Sequence, residues 1–192
     1  GTVGVIAPNR LKRRFKTDRP YQKLVADVSE FRYGNKSQNE RVYLEPILDL
    51  FNGEVLAFNI SDHPTVEFAV KPLKEALNQM PVLDYRTTVH TDQGFQYQHR
   101  HWQNVLKDHR AFHSMSRKAA CLDHAAMESF FALLQRNVLD RQRRATREQL
   151  RIAIVTGGTT RLRWAARRKR DHARDPPRFH RRRGRPRAAR RR

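Results

Sequence analysis

Cysteine is almost missing from this chain of 192 residues: Cys121 stands alone, so no intrachain disulfide can form and no cysteine pair can begin a structural zinc site. A reducing, cytosolic setting fits that usage. Long apolar runs are missing too. No stretch approaches the roughly 20 apolar residues that cross a bilayer, and Gly1 to Arg14 lacks the apolar segment of a secretory signal. The expectation is a cytoplasmic chain with no membrane partner. It opens on glycine rather than methionine, as a fragment or a processed product would. Acidic residues are scarce, 19 Asp and Glu against 40 Lys and Arg, for a net charge of +21. The shortage is local. Residues 1–140 carry 19 basic against 16 acidic side chains, whereas residues 141–192 carry 21 against 3. The first part is balanced enough to build a core. The second part draws polyanions by counterion release and is expected to be disordered, which points to nucleic acid without saying which kind.

Against those shortages, the first part is rich in β-branched and aromatic runs. Strands are expected over 24–31, 41–51 and 54–61, with Asn52-Gly53 as a tight hairpin between the last two. Thr65 can cap a helix in which Val66, Ala69, Val70, Leu73, Leu77 and Met80 recur at helical spacing, although Pro72 should kink it or move its start. A strand over 86–91, a helix over 98–107, a strand over 111–115 and a helix over 122–138 follow. Ala126, Phe130, Phe131 and Leu134 would be the buried face of that last helix. Three strands, helix, strand, helix, strand, helix is the order of an α/β ribonuclease-H-like fold, a mixed five-stranded sheet flanked by helices. Beyond residue 140 only Leu150 to Val155 shows any apolar pattern.

Three carboxylates stand out. Asp27 interrupts the apolar run Leu24 to Val28, where an ionised group is costly unless a cation compensates it. Asp92 ends a strand just before Gly94, at the sheet edge where open sheets carry their active residues. Glu128 lies on a helix beside Phe131, roughly 60° away around the axis. Between Asp27 and Asp92 lie 64 residues, and between Asp92 and Glu128 lie 35. Brought together they would be hard oxygen ligands suited to two Mg²⁺ or Mn²⁺ ions, which activate an attacking oxygen and stabilise a leaving one in phosphodiester chemistry. Taken singly, each is an ordinary solvated charge. Asp49 and Asp123 are rival ligands, but surface or helix-capping roles suit them better. Among the nine histidines, His99, His101, His109 and His113 invite a zinc reading, yet without cysteine partners or a four-ligand spacing they read as surface or core residues. Ser114 and Ser116 lack a sequence-placed base and are not read as nucleophiles.

Five blocks in order carry a resemblance: Asn9-Arg10 through Asp27-Val28-Ser29, Tyr43 to Glu54, His90-Thr91-Asp92-Gln93-Gly94-Phe95-Gln96-Tyr97, Ser114 to Lys118, and Glu128-Ser129-Phe130-Phe131. Together they resemble the integrase core of insertion-sequence transposases of the IS-three type, relatives of retroviral integrases. The resemblance implies that Asp27, Asp92 and Glu128 are the catalytic, metal-binding triad, with two Mg²⁺ or Mn²⁺ ions as cofactor. It implies DNA strand cleavage and transfer at transposon ends, a homo-oligomer on transposon-end and target DNA, and a place on the bacterial nucleoid. Residues 1–20 become a basic lead-in arm, 21–140 the integrase catalytic core and 141–192 the arginine-rich tail.

Departures from the family pattern are equally specific. Leu24 stands where the family has tryptophan, Ala119-Ala120 where it has Gly-Asn, and His124 where it has asparagine. Gln135 occupies the position of a basic residue thought to contact DNA, and the adjacent Arg136 points about 100° away on a helix. Arg117, Lys118 and Arg136 remain as nucleic-acid contacts. Past Thr156 the family would continue with an aromatic helical segment, whereas this chain turns to arginine, as a frameshift would produce. A family-like continuation is therefore expected in another frame of the gene downstream of the Thr156 codon; its absence from every frame would remove the frameshift reading. The alternative function is a catalytically inactive remnant that binds nucleic acid non-specifically. A nuclease acting on RNA in hybrids is disfavoured by the order of the blocks.

Overall fold

The computed structural model describes residues 4–35, 39–116, 125–136 and 146–159. Its centre is a mixed sheet built from β1 (Lys23–Ala26), β2 (Ser29–Arg32), β3 (Arg41–Asp49), β4 (Glu54–Ser61), β5 (Thr88–Thr91) and β6 (Phe112–Met115). β1 and β2 both pair antiparallel with β3, on the edge that β4 leaves free, and in one register: Ala26 faces Ile47 and Ser29 faces Leu44. Continuing that register sets Asp27 opposite Pro46 and Val28 opposite Glu45. Proline has no N–H to give to the ladder. The line of the strand is thus broken where Asp27 sits, and the six segments make five lines. β5 pairs parallel with β1, and β6 parallel with β5. The expected five-stranded mixed sheet is what forms.

Alternation along the strands divides the core in two. Leu24, Ala26, Ile47 and Val89 pack with α1 (Val66–Asn78) and α3 (Arg100–Asp108), through Leu73, Leu77, Trp102 and Leu106. Val25, Val42, Leu44 and Leu48 pack on the other face with Met127, Phe130 and Leu134 of α4 (Ala125–Leu134). Phe131, expected to be buried, is only half-buried and leans on Phe31 and Phe130. The expected 98–107 helix is two pieces, α2 (Phe95–Gln98) and α3, because His99 is extended and its ring accepts the N–H of His101 as a cap. Asp49, expected at the surface, is buried and holds the hairpin, accepting the backbone N–H groups of Tyr21 and Phe51.

Helix α1 starts at its expected cap, where Thr65 accepts the Phe68 N–H. It continues unbroken through Pro72. That proline leaves the carbonyl of Phe68, one turn back, without its helical donor, and the side-chain amide of Asn59 on β4 supplies one at 3.1 Å. Asn59→Ala should therefore cost about 1–3 kcal/mol in urea denaturation, the cost of an acceptor left unmade. A loss under about 0.3 kcal/mol would show that water replaces the amide without penalty.

Helix α5 (Arg147–Ala153) falls inside the segment read as the basic tail, yet it has a capping box between Thr146 and Gln149. Leu150, Ala153 and Ile154 join the core under β3 and α4, and a π-helical turn (Ile154–Thr159) follows. Among the described residues no helix is long and apolar enough to cross a membrane.

Candidate active site

Asp27 directly follows β1 and Asp92 directly follows β5, and these strands are parallel neighbours. Val25 faces His90, so two further residues bring Asp27 level with Asp92. Both side chains are half-buried. The Asp92 carboxylate is held in place: its Oδ1 accepts the Gly94 N–H at 2.8 Å. Around it, the Gln93 amide donates to the Ser116 carbonyl at 2.9 Å, and the Ser116 N–H donates to the Thr91 carbonyl at 3.0 Å. β5 and β6 are thereby tied together just where the acid emerges.

Gly94 is the residue that permits this approach. A Cβ there would lie 2.9 Å from Asp92 Oδ1 and 2.9 Å from the Gln96 side-chain nitrogen, so the carboxylate or the amide must move. Gly94→Ala is expected to reduce any activity of the site about tenfold or more while changing the unfolding midpoint little, since a displacement of around 1 Å is enough for such a loss. Unchanged turnover would mean that Gln96 yields instead of Asp92.

Beneath the two aspartates lies a buried pair that sequence reasoning did not single out. Glu45 is fully buried on β3, and the Tyr97 hydroxyl sits 2.8 and 3.1 Å from its two oxygens. Tyr97 is itself fully buried, with its ring against Trp102 at 4.8 Å in an edge-to-face contact. Burial pushes the Glu45 carboxyl well above its usual range, the charges of Asp27 and Asp92 push it further, and only the Tyr97 hydrogen bond opposes them. Tyr97 is raised by burial and by the charges of Glu45, Asp27 and Asp92. The same desolvation argument that marked Asp27 would have marked Glu45, an acid inside the apolar run Val42 to Leu50.

Glu128 sits near the start of α4 with its side chain exposed. The structure brings Asp27 and Asp92 together, but among the described residues no group of three or more His, Cys, Asp or Glu side chains is close enough to hold a metal ion. Arg136 is exposed and its guanidinium donates to the Ala132 carbonyl. Arg117 and Lys118 lie outside the described residues, as does Asp123. Burial, with the charge of His90 adding, lowers His113 to about 4, so its ring is neutral near pH 7.

A parallel strand pair delivering two acids to one end of a mixed sheet defines a class, and similarity to known proteins agrees with it. The family model described as integrase core domain matches residues 17–121. The chain belongs to that family; Asp27 and Asp92 fall inside the matched stretch and Glu128 beyond it. InsK of insertion sequence element IS150 from Escherichia coli is 42% identical over 135 residues, covering 70% of this chain and 46% of InsK. An uncharacterized transposase-like protein of Haemophilus influenzae is 38% identical over 154 residues, 80% of this chain and 68% of that protein. The transposase InsF of insertion sequence IS3A from Escherichia coli is 30% identical over 151 residues, 78% of this chain and 50% of InsF. Within the integrase family, then, the chain is similar to transposases of insertion sequences, and it spans about half the length of InsK and InsF.

Solved structures share the fold at low identity. The intasome of simian T-cell lymphotropic virus, in complex with a PP2A regulatory subunit, matches with a TM-score of 0.58 and 16% identity over 81% of this chain and 54% of that one. The HTLV-2 integrase catalytic core in complex with magnesium matches with a TM-score of 0.50 and 15% identity over 80% of this chain and 84% of that one. At such identities the likeness is one of fold.

Proposed function

We propose that this chain cleaves and joins DNA strands at transposon ends, with Asp27, Asp92 and Glu128 as the acids that hold two divalent ions, Mg²⁺ or Mn²⁺. The observation that carries this reading is the delivery of Asp27 and Asp92 by adjacent parallel strands to one place above the buried Glu45. Their donor set suits a hard divalent cation: two carboxylates stand close enough to a third to raise its pKa, an excess of negative charge that a cation would offset. Magnesium in the HTLV-2 core is in keeping with that choice. Glu128 is supported by its spacing of 35 residues from Asp92 and by the packing of α4 on the Val25 face, to which strand alternation also assigns Asp27.

When bound, such ions supply activation of an attacking water or DNA 3′-hydroxyl and neutralisation of the leaving oxygen. The protein's own residues prepare for this. The Gly94 N–H fixes one carboxylate oxygen of Asp92, and the Tyr97 hydroxyl holds the buried Glu45 carboxyl nearby. Arg117, Lys118 and Arg136 are assigned to phosphate contacts along the DNA, and two copies or more of the chain would hold the paired ends on the bacterial nucleoid.

The test is strand transfer on a duplex carrying a transposon end, with Mg²⁺, comparing the wild type with Asp92→Asn. Products from the wild type alone support the reading, and equal activity in both proteins rules out the triad. A second reading, a remnant that keeps the fold and binds nucleic acid through its basic tail, is favoured by the exposed Glu128 and by Gln135 in place of a basic residue. It predicts no product from either protein and undiminished DNA binding.

A further inference from the structure

The N-terminal arm and the edge of the sheet at β6 together present a second charged surface. The arm is built in, not trailing. The Arg10 and Leu11 N–H groups donate to the buried Ser114 hydroxyl at 2.9 and 3.3 Å, Leu11 is itself buried, and Ala7 packs against the core. Further along, the Lys23 ammonium donates to the carbonyls of Arg14 and Lys16 at 2.7 and 2.6 Å. Between those anchors Lys12 and Arg13 take left-handed backbone conformations, φ 46° and 63°. Such conformations are strained for side-chain-bearing residues and persist only where the flanking chain is fixed.

Two of the arginines here are oriented as well as exposed. The guanidinium carbons of Arg10 and Arg86 lie 4.5 and 3.7 Å from the centre of one ring, that of Phe112 at the start of β6. Arg86 Nε also donates to the carbonyl of Arg110 at 2.6 Å. Arg110 has φ 53°, just after α3, where glycine would be the unstrained choice. Arg10, Arg86 and Arg110 are all exposed, and none makes an ion pair among the described residues. Guanidinium groups stacked on an aromatic face keep their outer N–H groups pointed at solvent in a fixed geometry, which suits phosphate oxygens. By contrast, Arg32 at the end of β2 and Arg41 at the start of β3 are both paired with Glu30.

Phe112 pairs with Thr88, the first residue of β5, whereas Asp92 follows its last. Four residues of strand separate the two places, about 13 Å. That is roughly four base-pair steps of duplex at ~3.4 Å each. We infer that Arg10, Arg86 and Arg110 form a backbone-binding surface for duplex DNA, apart from the carboxylates. It deepens the transposase reading and rests on it for the identity of the polyanion. It is sequence-indifferent, because the groups in it reach phosphates and not base edges.

The experiment uses the full chain in EDTA, so that it reads binding alone. Affinity for a labelled duplex is measured by fluorescence anisotropy across a salt series. The triple variant Arg10→Gln, Arg86→Gln, Arg110→Gln is expected to flatten the slope of log affinity against log salt by about 2.7, close to 0.9 for each phosphate that is no longer neutralised. The double variant Arg32→Gln, Arg41→Gln should leave the slope unchanged. A photoreactive side chain at position 82, where Val82 is fully exposed in the groove shared with Arg86 and Arg110, should crosslink to duplex DNA and not to single-stranded RNA. An unchanged slope in the triple variant, or crosslinks to RNA in preference to duplex, overturns the proposal. Since no strand is cut in these measurements, a failure of strand transfer would leave them standing.

Discussion

Asp92→Asn is expected to lower Mg²⁺-dependent strand transfer at least about a thousandfold while the protein unfolds at the same temperature as the wild type or slightly above it. The two halves of that expectation have different causes. A metal site contributes several kcal/mol of transition-state stabilisation, and about 4 kcal/mol corresponds to a factor of a thousand. Losing one carboxylate ligand forfeits most of it. The fold, however, gains from the loss. Asp27 and Asp92 emerge side by side from parallel strands, so removing one charge relieves the repulsion between them. Asparagine keeps the oxygen that accepts the Gly94 N–H, so the turn after β5 survives. Asp27→Asn should behave alike.

Added Mg²⁺ should raise the unfolding temperature of the wild type and not that of either variant, a binding readout independent of catalysis. Glu128→Gln separates the third acid from the first two. Its side chain is exposed, so stability should not move. If it abolishes transfer as fully as Asp92→Asn does, α4 supplies a ligand during the reaction. Full activity in Glu128→Gln beside two dead aspartate variants would transfer that role to another acid.

Much of this arrangement was legible in the residues. Alternating apolar strands, the Asn52-Gly53 hairpin, the Thr65 cap and the strand-ending Asp92 each obey a local rule, and local rules survive folding. What was not legible depends on partners distant in sequence. Pro72 reads as a helix breaker until Asn59, from another strand, takes up the carbonyl that it orphans. Asp49 reads as a surface charge until the chain at Tyr21 comes back to it. Glu45 and Tyr97 are 52 residues apart, and neither announces the other. The helix at Arg147–Ala153 was masked in a different way, by arginines so numerous that they hid a Thr-x-x-Gln cap and a short apolar face. Placing Glu128 against the two aspartates asked most of the sequence. Spacing can name a third acid, but how far a helix brings its side chain toward two strand ends is set by tertiary packing.

The Glu45–Tyr97 pair should reveal itself in the dependence of stability on pH. The unfolded chain gives up the Glu45 proton near the ordinary value of 4.5, whereas burial and the two aspartates keep it on the folded protein to a much higher pH. Between those points the folded state binds the extra proton. Stability from this group is therefore complete below the ordinary value and is lost as pH rises toward the folded value, by up to about 1.4 kcal/mol for each pH unit. Glu45→Gln replaces the carboxyl with a neutral side chain of the same shape that can still accept from Tyr97. It should match the wild type near pH 5 and exceed it by a margin that widens as the pH rises toward 8, measured by urea denaturation at each pH. Tyr97→Phe should do the reverse. Without the hydroxyl, nothing named opposes burial at Glu45, and a buried acceptor left unpaired costs about 1–3 kcal/mol, more where the group is charged. Combining Tyr97→Phe with Glu45→Leu should recover much of that loss, because both polar partners leave together. Parallel stability curves for the wild type and Glu45→Gln from pH 5 to 8 would mean that Glu45 is ionised in the folded protein. It would then stand with Asp27 and Asp92 as a third negative charge awaiting a cation, and it would displace Glu128 as the leading candidate for the missing ligand.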